Sequence, residues 1–331
     1  MRVKTVIFVE AVIIIFLLTL LVFQYFSHRQ DDLTDFSIPV DSLISPRVYA
    51  GIIEPKSYLI LNFVPLKEEL QNHIQNNNLT MSVYLVNLRD GASMSINSNR
   101  AFAPASLSKV PLAVLILRKV EEGKITLDTL LKIENADRDS SSGLLYQSVG
   151  KSLPLRVLLE EMLVKSDNTA FRVLMRYLEE HDWEVLYDYW DYFSKDSTIS
   201  NGDKEGLVTP RSVYNVFLSL YLSTVLESEH SEYLLSLLAD SSFDLKEIAQ
   251  LPPQLRVAHK YAVREDKQNN LFHDCGIMYP QEMKFFYCVM TADNSNQTAG
   301  IEEVGYAVNK IYNYVLNTRK SLDGFKENNG N

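Results

Sequence analysis

An almost unbroken apolar run from Val110 to Leu117 constrains the fold more than any other stretch. A helix that is apolar on every side has to be surrounded by other elements, so this run predicts a central buried helix. Ser106 and Lys109 stand at its N-terminus, which we expect to face a cleft. Residues three apart lie on one face of a helix, so an unprotonated Lys109 amine can take the proton of the Ser106 hydroxyl. This spacing makes Ser106 a candidate nucleophile and Lys109 its base.

The pattern Ser-x-x-Lys is weak evidence by itself, because it occurs a second time at Ser148-Val149-Gly150-Lys151. That copy contains a glycine and is followed by Ser152-Leu153-Pro154, which predicts a loop. The alternative interpretation of the first copy is an ordinary core helix that is capped by a serine. The choice between a nucleophile and a helix cap depends on whether the rest of the chain supplies catalytic partners for Ser106.

Composition and charge exclude several classes of protein. The 331 residues are 46% hydrophobic, which is enough for one domain, or one domain with two lobes, around a sizeable core. The formal net charge is −10 and no basic cluster is present, so we expect no nucleic-acid partner. The two cysteines, Cys275 and Cys288, are not at metal-ligand spacing, and we expect neither a metal site nor a cofactor.

The N-terminal residues 1–28 predict a membrane anchor. Residues 6–26 are almost entirely apolar, and roughly twenty such residues can cross a bilayer. A cleaved signal peptide is the alternative, but no Ala-x-Ala-like site follows the run. Because Arg2 and Lys4 precede it, the N-terminus should stay in the cytoplasm and the rest of the chain should lie outside the cell membrane. Residues 29–59, polar and interrupted by prolines, predict an extracytoplasmic spacer.

Residues 60–320 predict strands near both ends and helices between them. Met81 to Leu88 and residues 92–97 form a predicted hairpin around Asp90-Gly91, and helix signals such as Thr209-Pro210 occupy the middle. Three more strands are predicted at residues 257–263, 274–279 and 283–291. This order favours an α+β fold, in which both ends of the domain build an antiparallel sheet with flanking helices and an inserted all-helical lobe. A helix that follows Ser166-Asp167-Asn168 is predicted to end near Leu178. A final helix at 301–316 and a disordered tail at 321–331 complete the prediction.

Two further stretches follow Ser106-x-x-Lys109 in order. They are Ser166-Asp167-Asn168, and Lys260-Tyr261-Ala262 on a predicted strand. Ser-x-x-Lys, Ser-Asp-Asn and Lys-Thr-Gly together are the signature of class A β-lactamases and penicillin-binding proteins. Over about residues 60–320 the chain resembles this family of serine hydrolases, and the resemblance implies a β-lactamase/transpeptidase-like fold.

The resemblance assigns catalytic roles to four residues. Ser106 is the nucleophile, Lys109 takes its proton, and Ser166 passes a proton to the departing amine. Lys260 keeps a positive charge near Ser166 and the substrate carboxylate. By like-charge proximity it also helps to lower the pKa of Lys109.

The same resemblance places four residues on the substrate. Asn168 hydrogen-bonds the amide of the substrate, and Tyr261, Ala262 and Val263 continue along the strand beside it. The backbone N–H groups of Ser106 and Val263 form the oxyanion hole.

Two departures from the family pattern affect the expected activity. In the third motif, Tyr261 and Ala262 replace threonine and glycine, so an added methyl group and an aromatic ring should narrow the space beside the strand. Between Asn168 and Thr209 the Glu-x-x-Leu-Asn pattern that supplies the deacylating base is missing. Release of the acyl group should therefore be slow, since a general base is worth roughly a hundred- to ten-thousand-fold.

The leading hypothesis is a membrane-anchored extracytoplasmic serine hydrolase that opens β-lactams through a Ser106 acyl-enzyme. One alternative is a D,D-carboxypeptidase or penicillin-binding enzyme that acts on peptidoglycan stem peptides. Another is a catalytically idle cell-wall binding module, which the intact motif residues disfavour. The oligomeric state is not predicted.

Further predictions concern two histidines and the two cysteines. His259 and His273 flank the predicted strands, and this mechanism needs no imidazole, so both are expected to be framework residues. Cys275 and Cys288 oppose each other if the register of the second hairpin pairs Met278 with Phe285. We favour two buried thiols, because directly cross-strand disulfides are often strained, and a bond is the alternative outside the cell.

Overall fold

Strands from opposite ends of the chain meet in one antiparallel sheet. The computed structural model describes Leu43 and residues 61–194, 206–265, 270–281 and 283–328, without the side chains of 182–194 and 319–328. All of these residues belong to one compact unit, which comprises residues 43–45 and 54–331.

The main sheet has five strands in the order β2-β1-β7-β6-β5, and each neighbouring pair is antiparallel. These strands are β1 (Thr80–Asn87), β2 (Ser93–Ile96), β5 (Val257–Arg264), β6 (Leu271–Met278) and β7 (Phe285–Ala292). A small second sheet pairs β3 (Leu130–Lys132) with β4 (Ser152–Pro154). The predicted sheet from both ends of the domain is confirmed, because β1 pairs with β7 along its whole length.

Eight helices lie in the described part of the chain. They are α1 (Val64–Asn76), α2 (Lys109–Glu121), α3 (Leu155–Val164), α4 (Asn168–Ser194), α5 (Pro210–Tyr221), α6 (Ser228–Ala239), α7 (Leu245–Ile248) and α8 (Gln297–Asn328). Helices α1 and α8 share one hydrophobic core with the sheet. Helices α2 to α6 form the inserted lobe, in which every residue from Val110 to Leu117 is buried as the apolar run predicts. Thr209 caps α5 with its side chain, as its Thr-Pro start predicts.

Two helices are longer than the sequence predicts. Helix α4 continues past the predicted end near Leu178 to Ser194, and α8 extends the predicted helix at 301–316 in both directions. Residues 321–328, predicted as part of a disordered tail, are therefore helical. The physical reason is that both extensions lack proline and consist largely of residues that tolerate a helix.

The two cysteines form a disulfide bond. Met278 pairs with Phe285 and Cys275 with Cys288, so the register condition is met. The prediction of two buried thiols is wrong, because this register turns the two sulfur atoms toward each other and they are bonded.

The N-terminal predictions fall largely outside the described residues. None of the described helices is long and apolar enough to span a membrane. The predicted anchor at 6–26 is not described, and Leu43 is the one described residue of the predicted spacer. Leu43 is buried; its N–H donates to the Glu232 carboxylate (2.9 Å) and its carbonyl accepts from the Tyr279 hydroxyl (2.7 Å).

Candidate active site

Ser106 lies in a tight turn directly before the buried helix α2. Residues Ala105–Ser108 form a 3₁₀ turn, and the Ser108 hydroxyl donates to the Ala105 carbonyl (2.8 Å). Ala105 adopts a left-handed backbone conformation with φ of 43°, which is costly for a residue with a Cβ. The turn therefore holds Ser106 in a fixed position, half-buried, at the end of the helix.

The segment before this turn is anchored at two points. Phe102 pairs with Val208 in an isolated β-bridge, and Nε2 of His273 lies 3.1 Å from the Ala103 carbonyl. Burial lowers the pKa of His273 to about 4, so at physiological pH its ring is neutral and donates a hydrogen bond from Nε2–H to that carbonyl. His273 thus has a framework position, as expected from the sequence.

Lys109 brings the first two motifs together. Its Nζ lies 3.1 Å from the Ser106 hydroxyl and 3.1 Å from the Ser166 hydroxyl. The same atom is 2.6 Å from the Ser166 carbonyl and 2.6 Å from Oδ1 of Asn168. One amine therefore contacts the predicted nucleophile and the predicted proton donor, which is the geometry that the Ser-x-x-Lys and Ser-Asp-Asn motifs predict.

The environment of Lys109 adjusts its basicity. The side chain is 2% exposed, and this burial lowers the pKa of Lys109 to about 8. The carboxylates of Asp167 and Asp139 act in the opposite direction. At pH 7 roughly one-tenth of Lys109 is therefore neutral and able to accept a proton.

The Ser166-Asp167-Asn168 turn is shaped by the central aspartate. Oδ1 of Asp167 accepts from the Ala170 N–H (2.8 Å) near the start of α4, and Oδ2 accepts from the Leu145 N–H (2.9 Å). Asp167 thus caps helix α4, and it also holds a neighbouring loop. This arrangement supports Ser166 in a left-handed conformation with φ of 56°, with only 1% of the residue exposed.

Asn168 is held by residues that the sequence analysis missed. Its Nδ2 donates to the Ser141 hydroxyl (2.8 Å), and that hydroxyl donates to the Asp139 carboxylate. The Arg172 guanidinium also donates to the Asp139 carboxylate, at 2.7 Å. One N–H of the Asn168 amide stays available for a substrate carbonyl. No sequence signal identifies Ser141 or Asp139, because they lie in a loop far from the three motifs.

The surroundings of Lys260 disfavour the positive charge that the sequence predicts there. It is fully buried in β5, and among the described residues its Nζ has no hydrogen-bond partner. Burial and then the charge of Lys109 hold the pKa of Lys260 well below its usual value, and Asp274 opposes them. The expected like-charge effect therefore falls on Lys260, while burial is what lowers the pKa of Lys109.

The next three residues of β5 have different surroundings. Tyr261 and Val263 line the cleft, and the Tyr261 ring stacks on Phe243 with ring centres 4.6 Å apart. Burial raises the pKa of the Tyr261 phenol, and a hydrogen bond with Ser166 acts in the opposite direction. Ala262 is fully buried and does not line the cleft, so its methyl group does not narrow the space as expected.

His259 precedes Lys260 on β5, and the disulfide joins the two neighbouring strands β6 and β7. Nδ1 of His259 is 2.9 Å from Oδ2 of Asp274, and the Tyr287 hydroxyl bonds the other oxygen of that carboxylate. Cys275 pairs with Lys260 across β5 and β6. These buried contacts give His259 the framework position that the sequence predicts.

Six of the eight predicted site residues line one cleft of about 550 Å³: Ser106, Lys109, Ser166, Asn168, Tyr261 and Val263. Other residues of its wall carry charge at the mouth, among them Asp139, Arg172, Arg264 and Glu265. In the described part of the chain no group of three or more His, Cys, Asp or Glu side chains could hold a metal ion. The arrangement suits acyl transfer, since it combines a hydroxyl, a buried base in contact with it, and a second hydroxyl in contact with that base.

Comparisons with known proteins agree with this geometry. β-Lactamase VEB-1 of Pseudomonas aeruginosa is 19% identical over 269 residues, which cover 75% of this chain and 90% of that enzyme. β-Lactamase SME-1 of Serratia marcescens is 26% identical over 161 residues, 45% of this chain, and the match spans 54% of that enzyme.

Solved structures show the same fold. PBP-A is 20% identical with a TM-score of 0.68, and the match covers 79% of this chain and 100% of PBP-A. The TLA-1 extended-spectrum β-lactamase is 17% identical with a TM-score of 0.66, covering 76% and 98% of the two chains. A sequence model of the β-lactamase enzyme family matches residues 65–315, about three quarters of the chain. The chain therefore belongs to the β-lactamase enzyme family.

Proposed function

We propose that this protein is a serine hydrolase that opens β-lactams by forming an acyl-enzyme on Ser106. The observation that carries the proposal is the position of Lys109 Nζ, 3.1 Å from both the Ser106 and the Ser166 hydroxyls. This arrangement provides a proton path from the nucleophile to the leaving group. It uses side chains that the fold already holds in place.

The reaction follows from these contacts. Neutral Lys109 takes the Ser106 proton while Oγ attacks the lactam carbonyl, and the N–H groups of Ser106 and Val263 receive the developing oxyanion. The ring C–N bond then breaks, and Ser166 gives its proton to the departing nitrogen. Ser166 recovers a proton from the Lys109 ammonium, so the net transfer is from Ser106 to nitrogen.

A second candidate is a D,D-carboxypeptidase or penicillin-binding enzyme of peptidoglycan. The observation that favours it is the missing Glu-x-x-Leu-Asn pattern between Asn168 and Thr209, because an acyl-enzyme without that base persists. The likeness to PBP-A adds support, since a mutant of that protein has been solved as an acyl-enzyme complex with penicillin G.

We further propose that the catalytic domain lies outside the cell membrane, anchored through residues 6–26. The apolar run with preceding Arg2 and Lys4 supports this orientation. The Cys275–Cys288 disulfide supports it independently, since such bonds persist mainly in oxidising compartments.

Acylation tests the proposed function directly. Full-length protein in detergent is incubated with labelled penicillin G and with a chromogenic cephalosporin, beside Ser106→Ala and, as matched control, Ser148→Ala from the second Ser-x-x-Lys copy. We expect a Ser106 adduct in the wild type and in the control, and none in Ser106→Ala. Rapid turnover supports the β-lactamase, and a long-lived adduct supports the penicillin-binding enzyme. An adduct that survives in Ser106→Ala would refute the assigned nucleophile.

A further inference from the structure

Leu43, a residue of the predicted spacer, is docked on the catalytic domain. It is 1% exposed, and its backbone nitrogen lies 2.9 Å from each carboxylate oxygen of Glu232 on α6. Its carbonyl accepts from the Tyr279 hydroxyl at 2.7 Å. The two partners lie 189 and 236 residues further along the chain. Both backbone polar groups of Leu43 are therefore bonded to the domain, and its side chain is buried there, which is the pattern of a fixed residue.

The two partners suit a lasting contact with Leu43. The bond from the Leu43 N–H to the Glu232 carboxylate is charge-assisted, and such bonds are stronger than those between neutral groups. Burial raises the pKa of Tyr279 well above its usual value, so its hydroxyl keeps its proton and remains a donor. The backbone N–H of Tyr279 donates to the Arg256 carbonyl at 3.0 Å, which holds this donor beside the sheet. Burial of a leucine and two hydrogen bonds offset the entropy that is lost when one residue is fixed.

The docked residue lies away from the catalytic cleft. Tyr279 directly follows Met278, which pairs with Val257 at the start of β5. The cleft is lined by residues toward the other end of that strand, as far as Glu265. At about 3.3 Å per residue, roughly 25 Å separate Val257 from Glu265. Leu43 therefore occupies a surface that the substrate does not use, and its docking leaves the cleft open.

We propose that Leu43 fixes the predicted spacer to the catalytic domain, so that residues 27–42 alone tether the domain to the membrane. This inference rests on the proposed anchoring through residues 6–26. A chain spans at most about 3.5 Å per residue, so this tether reaches no further than roughly 55 Å beyond the anchor. A tether that continued to Leu61 would reach roughly 120 Å. The contact thus restricts the active site to acyl groups close to the membrane surface.

Hydrogen exchange tests the docking without any membrane. Full-length protein in detergent is exchanged in D₂O and analysed by mass spectrometry with residue-level fragmentation. We expect the Leu43 N–H to exchange at least about tenfold more slowly than in urea-unfolded protein. Glu232→Ala should accelerate its exchange roughly ten- to a hundredfold, since it removes a charged acceptor. Glu229→Ala, an exposed substitution on the same helix, is the matched control and should leave the exchange unchanged. A Leu43 N–H that exchanges as in the unfolded protein overturns the inference.

Insertions on either side of Leu43 test the length of the tether. Full-length protein is placed in liposomes that contain an acceptor-labelled lipid, with a donor dye on Leu130→Cys, a position that is 64% exposed. A flexible Gly-Ser insert of ten residues, which spans roughly 17 Å on average, is added after Thr34 or after Gly51. We expect the insert after Thr34 to lower energy transfer, because it lengthens the tether. The insert after Gly51 should leave the transfer unchanged, because Leu43 still holds the chain on the domain.

The outcomes separate the tether from the anchoring. Equal losses of energy transfer from the two inserts overturn the inference, because Leu43 then does not hold the chain. In Leu43→Asp, which places a charge at the buried position, both inserts should lower the transfer equally. If Leu43→Asp does not fold, Tyr279→Phe, which removes only the hydroxyl, takes its place. Absence of transfer in every variant overturns the anchoring and with it the tether, while exchange of the Leu43 N–H still decides the docking.

Discussion

Asp139 connects the wall of the cleft to the general base. Its carboxylate accepts from Ser141 and Arg172, and its charge raises the pKa of Lys109. Ser141 in turn holds the Asn168 amide with its oxygen toward Lys109. The loop that contains Asp139 thus affects both the orientation of Asn168 and the basicity of Lys109.

We predict that Asp139→Asn lowers the pKa of Lys109 below its wild-type value of about 8. Removal of a nearby negative charge makes the ammonium less favourable, so Lys109 loses its proton at lower pH. Titration of the Lys109 ¹³Cε signal measures the change. Asp240→Asn, an exposed substitution outside the cleft lining, should leave the titration as in wild type, and an upward shift in Asp139→Asn would contradict the role of this carboxylate.

Strand β5 depends on a close approach of its neighbour β6. A Cβ added at Gly276 would lie 2.3 Å from the Ala258 carbonyl oxygen and 2.6 Å from Cα of His259. Such distances are far inside van der Waals contact, so only glycine fits between the two strands. The position of Lys260, the next residue on β5, depends on this packing.

We predict that Gly276→Ala destabilises the fold by about 3 kcal/mol or more, because the clash displaces the backbone of a central strand pair. Urea unfolding provides the measurement. Gly91→Ala is the comparison, since its added Cβ meets no atom and its φ of 78° carries the main cost, about 1 kcal/mol. Equal losses in the two variants would show that β5 can move away from β6.

The fold and the acylating residues could be predicted because hydrophobic runs and motif spacing in the sequence specify them locally. The apolar run at 110–117 requires a buried helix, and Ser106 and Lys109 meet because they are neighbours on one helical turn. Ser141 meets Asn168 only through loop geometry across 27 residues, which no periodicity records. The burial of Ala262 likewise depends on which elements cover β5, and a strand pattern does not specify that.

The folded molecule contains buried basic side chains that bind a proton less favourably than they do in the unfolded chain, and this lowers the free energy of unfolding. A base whose pKa is lower in the folded chain binds fewer protons there than in the unfolded chain, so stability rises with pH between the two values. Burial lowers the pKa of His273 from 6.5 to about 4 and that of Lys109 from 10.5 to about 8. Each shift corresponds to about 3 kcal/mol, a large share of the stability of an ordinary domain.

We predict that the free energy of unfolding rises by about 3 kcal/mol between pH 4 and 6.5 on account of His273 alone. His273→Gln removes this titration, and its side-chain amide can still donate a hydrogen bond to the Ala103 carbonyl. Urea unfolding at several pH values measures both proteins. The same dependence on pH in His273→Gln and wild type would show that this imidazole is not the group responsible.

The pairing of β1 with β7 has a consequence for the order of folding. Residues 80–87 of β1 pair with residues 285–292 of β7. The five-stranded sheet therefore cannot form until the residues between these two strands have been synthesised. An isolated hairpin of β1 and β2 is marginal in water, and contacts this distant in sequence form slowly. During synthesis the chain therefore presents apolar strands without partners, which favours aggregation unless they are shielded. The cleft beside Ser106 is completed late, because β5, which lines it, joins the sheet through β6.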